Sequence, residues 1–146
     1  TADEIHTLGL EEVSRILAEM EKVKQQVGFD GTLKNFFNAL RSNKELMPYL
    51  TPEEVISNFN AIHDKMKPQL VKLLSKKPKA VFIVKQTAKF REASASAQYN
   101  PGSKDETRPG VFYVPIIDAS TYNVCSDEAL FLHEAIPGHH YQIAMT

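Results

Sequence analysis

The stretch Ser126-Asp127-Glu128-Ala129-Leu130-Phe131-Leu132-His133-Glu134-Ala135-Ile136-Pro137-Gly138-His139-His140 reads as a helix with a polar start near Ser126, interrupted at Pro137. Its Leu-Phe-Leu run implies burial on more than one side, and a histidine and glutamate emerging from a buried helix suit the floor of a cleft. Three of the chain's five histidines fall between positions 133 and 140. Neutral imidazole is the commonest protein ligand for zinc, and a carboxylate beside one ligand can take a proton from water. In the H-E-x-x-H arrangement, two histidines four apart share a helix face and the glutamate is the general base. Here Pro137 occupies the place of the second histidine, so the pattern is H-E-x-x-P-G-H-H.

On an ideal helix His140 returns to within about 20° of His133 but lies about 10 Å along the axis, whereas His139 is nearer along the axis and points about 120° away. Neither suits a straight helix. Pro137 opposes the carbonyl of His133 and Gly138 admits unusual dihedrals, so a bulged or broken turn is expected to bring one of them back. Spacing leaves both candidates, and the expected metal set is His133, His139 and His140 with Glu134 as base. The blander reading is an ordinary helix end, capped by glycine and carrying cationic side chains near the C-terminal dipole.

Outward from this motif, 146 residues suit one domain, with 42% hydrophobic content and no long apolar run. A net charge of −1, from 17 basic and 18 acidic residues, gives no electrostatic case for nucleic acid or an anionic membrane. The one basic run, Lys72, Lys76, Lys77 and Lys79, reads as a solvated helix end and loop. Cys125 is the single cysteine, which excludes an internal disulfide, and no partner base for it stands nearby in sequence. No signal peptide or membrane span is readable, and there is no initiating methionine. Tyr141 to Thr146 ends in apparent mid-helix without a C-cap signal, as expected of a segment of something longer.

Leu10, Val13, Ile16, Leu17, Met20, Val23 and Val27 recur at helical intervals up to Gly28 and predict an amphipathic helix packed on a core. A second helix is expected from near Thr32, carrying Leu33, Phe36, Phe37 and Leu40. Thr51-Pro52-Glu53-Glu54 sets an N-cap, a proline at N1 and a capping-box glutamate for a third, with Val55, Phe59, Ile62 and Met66 on one side and a kink or split at Pro68. His63 and His6 read as structural. Ala80 to Lys85 and Val111 to Val114 read as strands, and Pro115 makes the latter an edge strand or ends it. An edge strand would pair with an extended peptide through main-chain hydrogen bonds. Arg91 to Gly110 is too polar and punctuated for a helix and reads as a long surface or active-site loop. The chain thus divides into a helical part (1–76), a strand and loop part (77–123) and a motif helix (124–146).

Arg108-Pro109-Gly110-Val111-Phe112-Tyr113-Val114, followed by Glu128 to Gln142 with its H-E-A-x-P-G-H-H-x-Q string, resembles the bacterial family catalogued as domain of unknown function 885. Val27-Gly28-Phe29, then Leu33, Phe36-Phe37 and Leu40, and the Thr51 to Glu54 opening extend the resemblance over most of the chain. It implies a mainly α-helical fold similar to thimet oligopeptidase, angiotensin-converting enzyme and the thermostable carboxypeptidases, with a small β element around 80–86 and 111–115. It implies a gluzincin-like zinc metallopeptidase acting on a peptide: His133 a Zn2+ ligand, Glu134 the base, and His139 or His140 the second ligand. A third ligand, a glutamate, belongs to an E-G-W-A-L-Y-x-E-like segment that follows in the family and has no counterpart in residues 1–146. Relatives often carry export or lipoprotein signals. Pro115 departs from the family, which often has asparagine there. Tyr99, Tyr113 and Arg108 are secondary candidates, the tyrosines for an oxyanion and the arginine for a substrate carboxylate. Two competing readings are a non-catalytic helical binding module with a structural or degenerate metal site, and a metal hydrolase acting on a non-peptide amide.

Overall fold

The computed structural model describes residues 1–105 and 107–145, so Glu106, inside the expected loop, and the expected mid-helix end at Thr146 lie outside the described residues. The chain is mainly helical with one small three-stranded sheet. It forms two compact units, Thr1–Asn43 and Lys44–Thr146.

The first unit holds α1 (Ala2–Gln26) and α2 (Leu33–Ser42). Thr1 and Glu4 make a capping box at the start of α1, and Thr32 caps α2 by accepting from the amide of Asn35. Gly28, at φ 71°, supplies the left-handed turn that leaves α1. The apolar stripe of α1 is a correction to the sequence reading, because none of its residues is buried and Val13 and Leu17 are 56% and 49% exposed. Length gives the reason: 25 residues of helix run about 38 Å, whereas ten residues of α2 run about 15 Å and cannot cover them. Phe36 of α2 is buried against Phe29 and Phe37.

The second unit carries the core. α3 (Pro52–Met66) begins as its sequence predicts, with Thr51 and Glu54 forming a capping box and Pro52 in the first turn, and it stops before Pro68. Val55, Phe59 and Ile62 are its buried face. The sheet has the order β1-β3-β2, with β1 (Phe82–Gln86) parallel and β2 (Gln98–Asn100) antiparallel to β3 (Gly110–Val114). β3 is therefore central, hydrogen-bonded on both sides, and is unable to receive a peptide along an edge; Pro115 simply follows its end. β2, and the short α4 (Lys89–Glu92), interrupt the stretch expected to be a loop.

The motif region forms α5 (Asp127–Glu134) and α6 (His139–Ala144), joined by Ala135 to Gly138 with a cis Ile136–Pro137 peptide. Phe59, Phe112 and Phe131 are fully buried and meet ring on ring, Phe59 edge-on to Phe112 at 5.2 Å and stacked on Phe131 at 6.4 Å. Each such side chain contributes on the order of 1.5–3 kcal/mol by leaving water. This aromatic cluster fixes α5 against α3 and the sheet. Asn58 to Asp127 and Lys65 to Glu128 link the same two helices at their polar borders. No helix among the described residues is long and apolar enough to cross a membrane.

Candidate metal centre

α5 delivers His133 and Glu134 from its last turn, and α6 delivers His139 and His140 from its first. Between them the backbone doubles back tightly: the Gly138 amide donates to the carbonyl of Leu132 at 2.9 Å, and the His140 amide to that of Ala135 at 3.2 Å. A Cβ at position 138 would collide with the carbonyl of His133, so only glycine permits this approach. The break expected at Pro137 is therefore a close packing of the α6 start on the α5 end.

Its consequence is a choice between the two candidate histidines. The ligand atoms of His133, Glu134 and His139 all lie within 4.8 Å of one another, and the rings of His133 and His139 stand nearly perpendicular, 85° apart, with centroids 4.8 Å apart. His133 is exposed, His139 half-buried and Glu134 buried. The two histidines border a surface recess of about 380 Å³ lined also by Leu132, Pro137, Gly138 and Gln142, with Glu134 buried behind them.

His140 is not in that cluster. Its ring is 3% exposed, packed on Phe82 at 4.8 Å and on Tyr99 at 5.6 Å. Nδ1 meets the Tyr99 hydroxyl at 2.8 Å, and the main chain of Ala80 lies beside the ring. Burial lowers its pKa, which keeps the ring neutral, with one nitrogen to donate and one to accept. Burial raises the pKa of Tyr99 as well.

The donor set fits a zinc ion. Two imidazoles and a carboxylate are hard-to-borderline donors of the kind zinc takes, at about 2.0–2.2 Å each. Two donors on one tetrahedral ion stand about 3.4 Å apart on those lengths, so three donors spread up to 4.8 Å would have to draw in by side-chain rotation, for which exposed His133 has room. Holding Glu134 one water away relaxes the demand further.

The remaining sequence candidates are dispersed. The Tyr99 hydroxyl is engaged by His140, Tyr113 sits half-buried on β3, Arg108 is exposed, and so is Cys125. His63 lies against Phe82 and Phe131, its pKa lowered by burial, in keeping with a packing role. His6 is exposed on α1. The sequence reading missed two features beside the motif. One is the Asp127 carboxylate, 2% exposed, accepting from Asn58 and Tyr122; the other is the buried Glu92 carboxylate, accepting from Gln86 and the Ile116 amide. A charged residue directly after the Ser126 start was the available signal for the first; nothing in the polar 91–110 stretch signalled the second.

No curated protein matches the sequence. A crystal structure from Colwellia psychrerythraea, described as a putative lipoprotein, is similar in fold, with a TM-score of 0.89 and 26% identity, over 99% of this chain and 26% of that one. The chain thus spans about a quarter of that neighbour's length. A family model described as "Bacterial protein of unknown function (DUF885)" matches residues 1–146, all of the sequence on which the H-E-A-x-P-G-H-H-x-Q resemblance rested. The chain belongs to the bacterial DUF885 family.

Proposed function

We propose that this chain carries the histidine half of the active site of a zinc-dependent peptidase, with His133 and His139 as metal ligands and Glu134 as general base. The observation that carries the reading is the convergence of these three side chains, with ligand atoms within 4.8 Å of one another, across a helix break that only glycine at 138 allows. When bound there, zinc would supply Lewis acidity, polarising a carbonyl and making water more acidic. The chain's own residues do the rest. His133 and His139 bind and orient the ion through neutral ring nitrogens. The Glu134 carboxylate accepts a proton from the attacking water and returns it to the departing amine nitrogen, a transfer that in general contributes about 10²–10⁴-fold.

The third ligand implied by the family resemblance, a glutamate, would come from outside residues 1–146, so the proposal concerns the protein as encoded. The resemblance of the H-E-A-x-P-G-H-H-x-Q string to helical zinc peptidases supports this reading, and we propose export as well, in keeping with the description of the Colwellia structure as a lipoprotein. The test is Glu134→Gln in the encoded protein, assayed on a mixed peptide library. Zinc content should persist while turnover falls at least 100-fold. Unchanged turnover would overturn the role of Glu134, and cleavage of small amides but not peptides would move the activity to a non-peptide substrate.

A further inference from the structure

The H-H pair at the start of α6 does two different jobs. Adjacent helical residues point about 100° apart, so one face of α6 cannot present both rings to the same ion. His139 turns to His133 and Glu134, whereas His140 turns into the sheet, against Phe82 at the start of β1, Ala80 just before it and Tyr99 on β2. The Nδ1 of His140 is engaged by a phenol at 2.8 Å, and the ring is packed on Phe82 and buried to 3% exposure, so it faces away from the His133, Glu134 and His139 cluster. Tyr99 is itself fixed. Its hydroxyl end lies against Gly110 of the central strand, where a Cβ would run into it. A line of contacts therefore runs from Gly110 through Tyr99 and His140 to the first turn of α6, and ends at the ring of His139.

We propose that Tyr99 and His140 are positioning residues of the metal centre: His140 is an anchor, not a ligand, and with Tyr99 it sets the rotation of α6 that brings His139 to His133. This rests on the metal reading above. An anchor of this kind acts like the outer hydrogen bonds that orient metal ligands elsewhere, whose loss typically weakens binding about 10- to 100-fold.

The test uses the encoded protein, its histidine rings labelled with ¹⁵N, titrated with zinc alone. Ring nitrogens of His133 and His139 should move to metal-bound shifts while both nitrogens of His140 stay where they were. Tyr99→Phe, which keeps the ring and removes only the hydroxyl, should weaken zinc affinity about 10- to 100-fold at unchanged stoichiometry, with the metal-free melting temperature recorded alongside. A metal-bound shift at His140, or Tyr99→Phe affinity within about twofold of wild type, would overturn the assignment. Absence of zinc shifts at His133 and His139 would instead defeat the metal centre itself, and the anchor role with it. The wild-type titration decides the ligand question even if the variant folds poorly.

Discussion

Asn58, on α3, donates from Nδ2 to Oδ2 of Asp127 at 2.8 Å, joining the middle of one helix to the first residue of another 69 positions later. The other carboxylate oxygen accepts from the Tyr122 hydroxyl at 3.0 Å. Through this carboxylate the start of the motif helix is held to α3, on the polar side of the Phe59, Phe112 and Phe131 cluster.

Burial pushes the Asp127 carboxyl up to about 6, against which the hydrogen bonds from Tyr122 and Asn58 pull only in part. A carboxyl whose pKa is raised by folding binds its proton more tightly in the folded state. Its contribution is therefore most favourable below the unfolded value of about 3.9 and is lost as pH climbs through about 6. Asp127→Asn, which stays neutral, should remove that slope. Urea unfolding of both proteins at about pH 4.5 and 7.5 should show the variant gaining on wild type at the higher pH, by an order of 1–3 kcal/mol. A difference that is flat with pH would rule out the buried charge as its source.

Gly138→Ala is expected to be far more damaging than an ordinary glycine change, because its Cβ would overlap the His133 carbonyl. Separation of α5 from α6 should cost about 1–3 kcal/mol or more and displace His139 from His133. Urea unfolding and zinc titration on the same variant check both effects; wild-type stability with wild-type affinity would show that the close approach is unimportant.

Phe59→Ala should destabilise the 146-residue chain by about 3–5 kcal/mol, since the ring is fully buried between Phe112 and Phe131. Val13→Ala on the exposed stripe of α1 should change stability by less than about 0.5 kcal/mol. Comparable losses from the two would mean that the stripe is covered after all.

What the sequence disclosed and what it hid divide along physical lines. Thr32, Thr51, Pro52 and Glu54 act within one turn of chain, so the starts of α2 and α3 were legible from residue types alone. Burial is not a local property, and the α1 stripe has a helical period but is left uncovered among the described residues. β2 is three residues, Gln98-Tyr99-Asn100, too short and polar to show alternation, and its pairing is what makes β3 central. At the site, residue types named the four candidates. That His139 and not His140 groups with His133 and Glu134 depended on the path from Ala135 to Gly138 and on the surroundings of His140, with Ala80, Phe82 and Tyr99 lying 41 to 60 positions upstream of it.

The most direct measurement is the zinc content of the encoded protein by elemental analysis, beside His133→Ala and His139→Ala. About one zinc per chain in the wild type, lost in both variants, is the result expected of a centre built on these two imidazoles. Wild-type protein that takes up no zinc even after reconstitution, or variants that retain it fully, would contradict the account and favour a non-catalytic binding module.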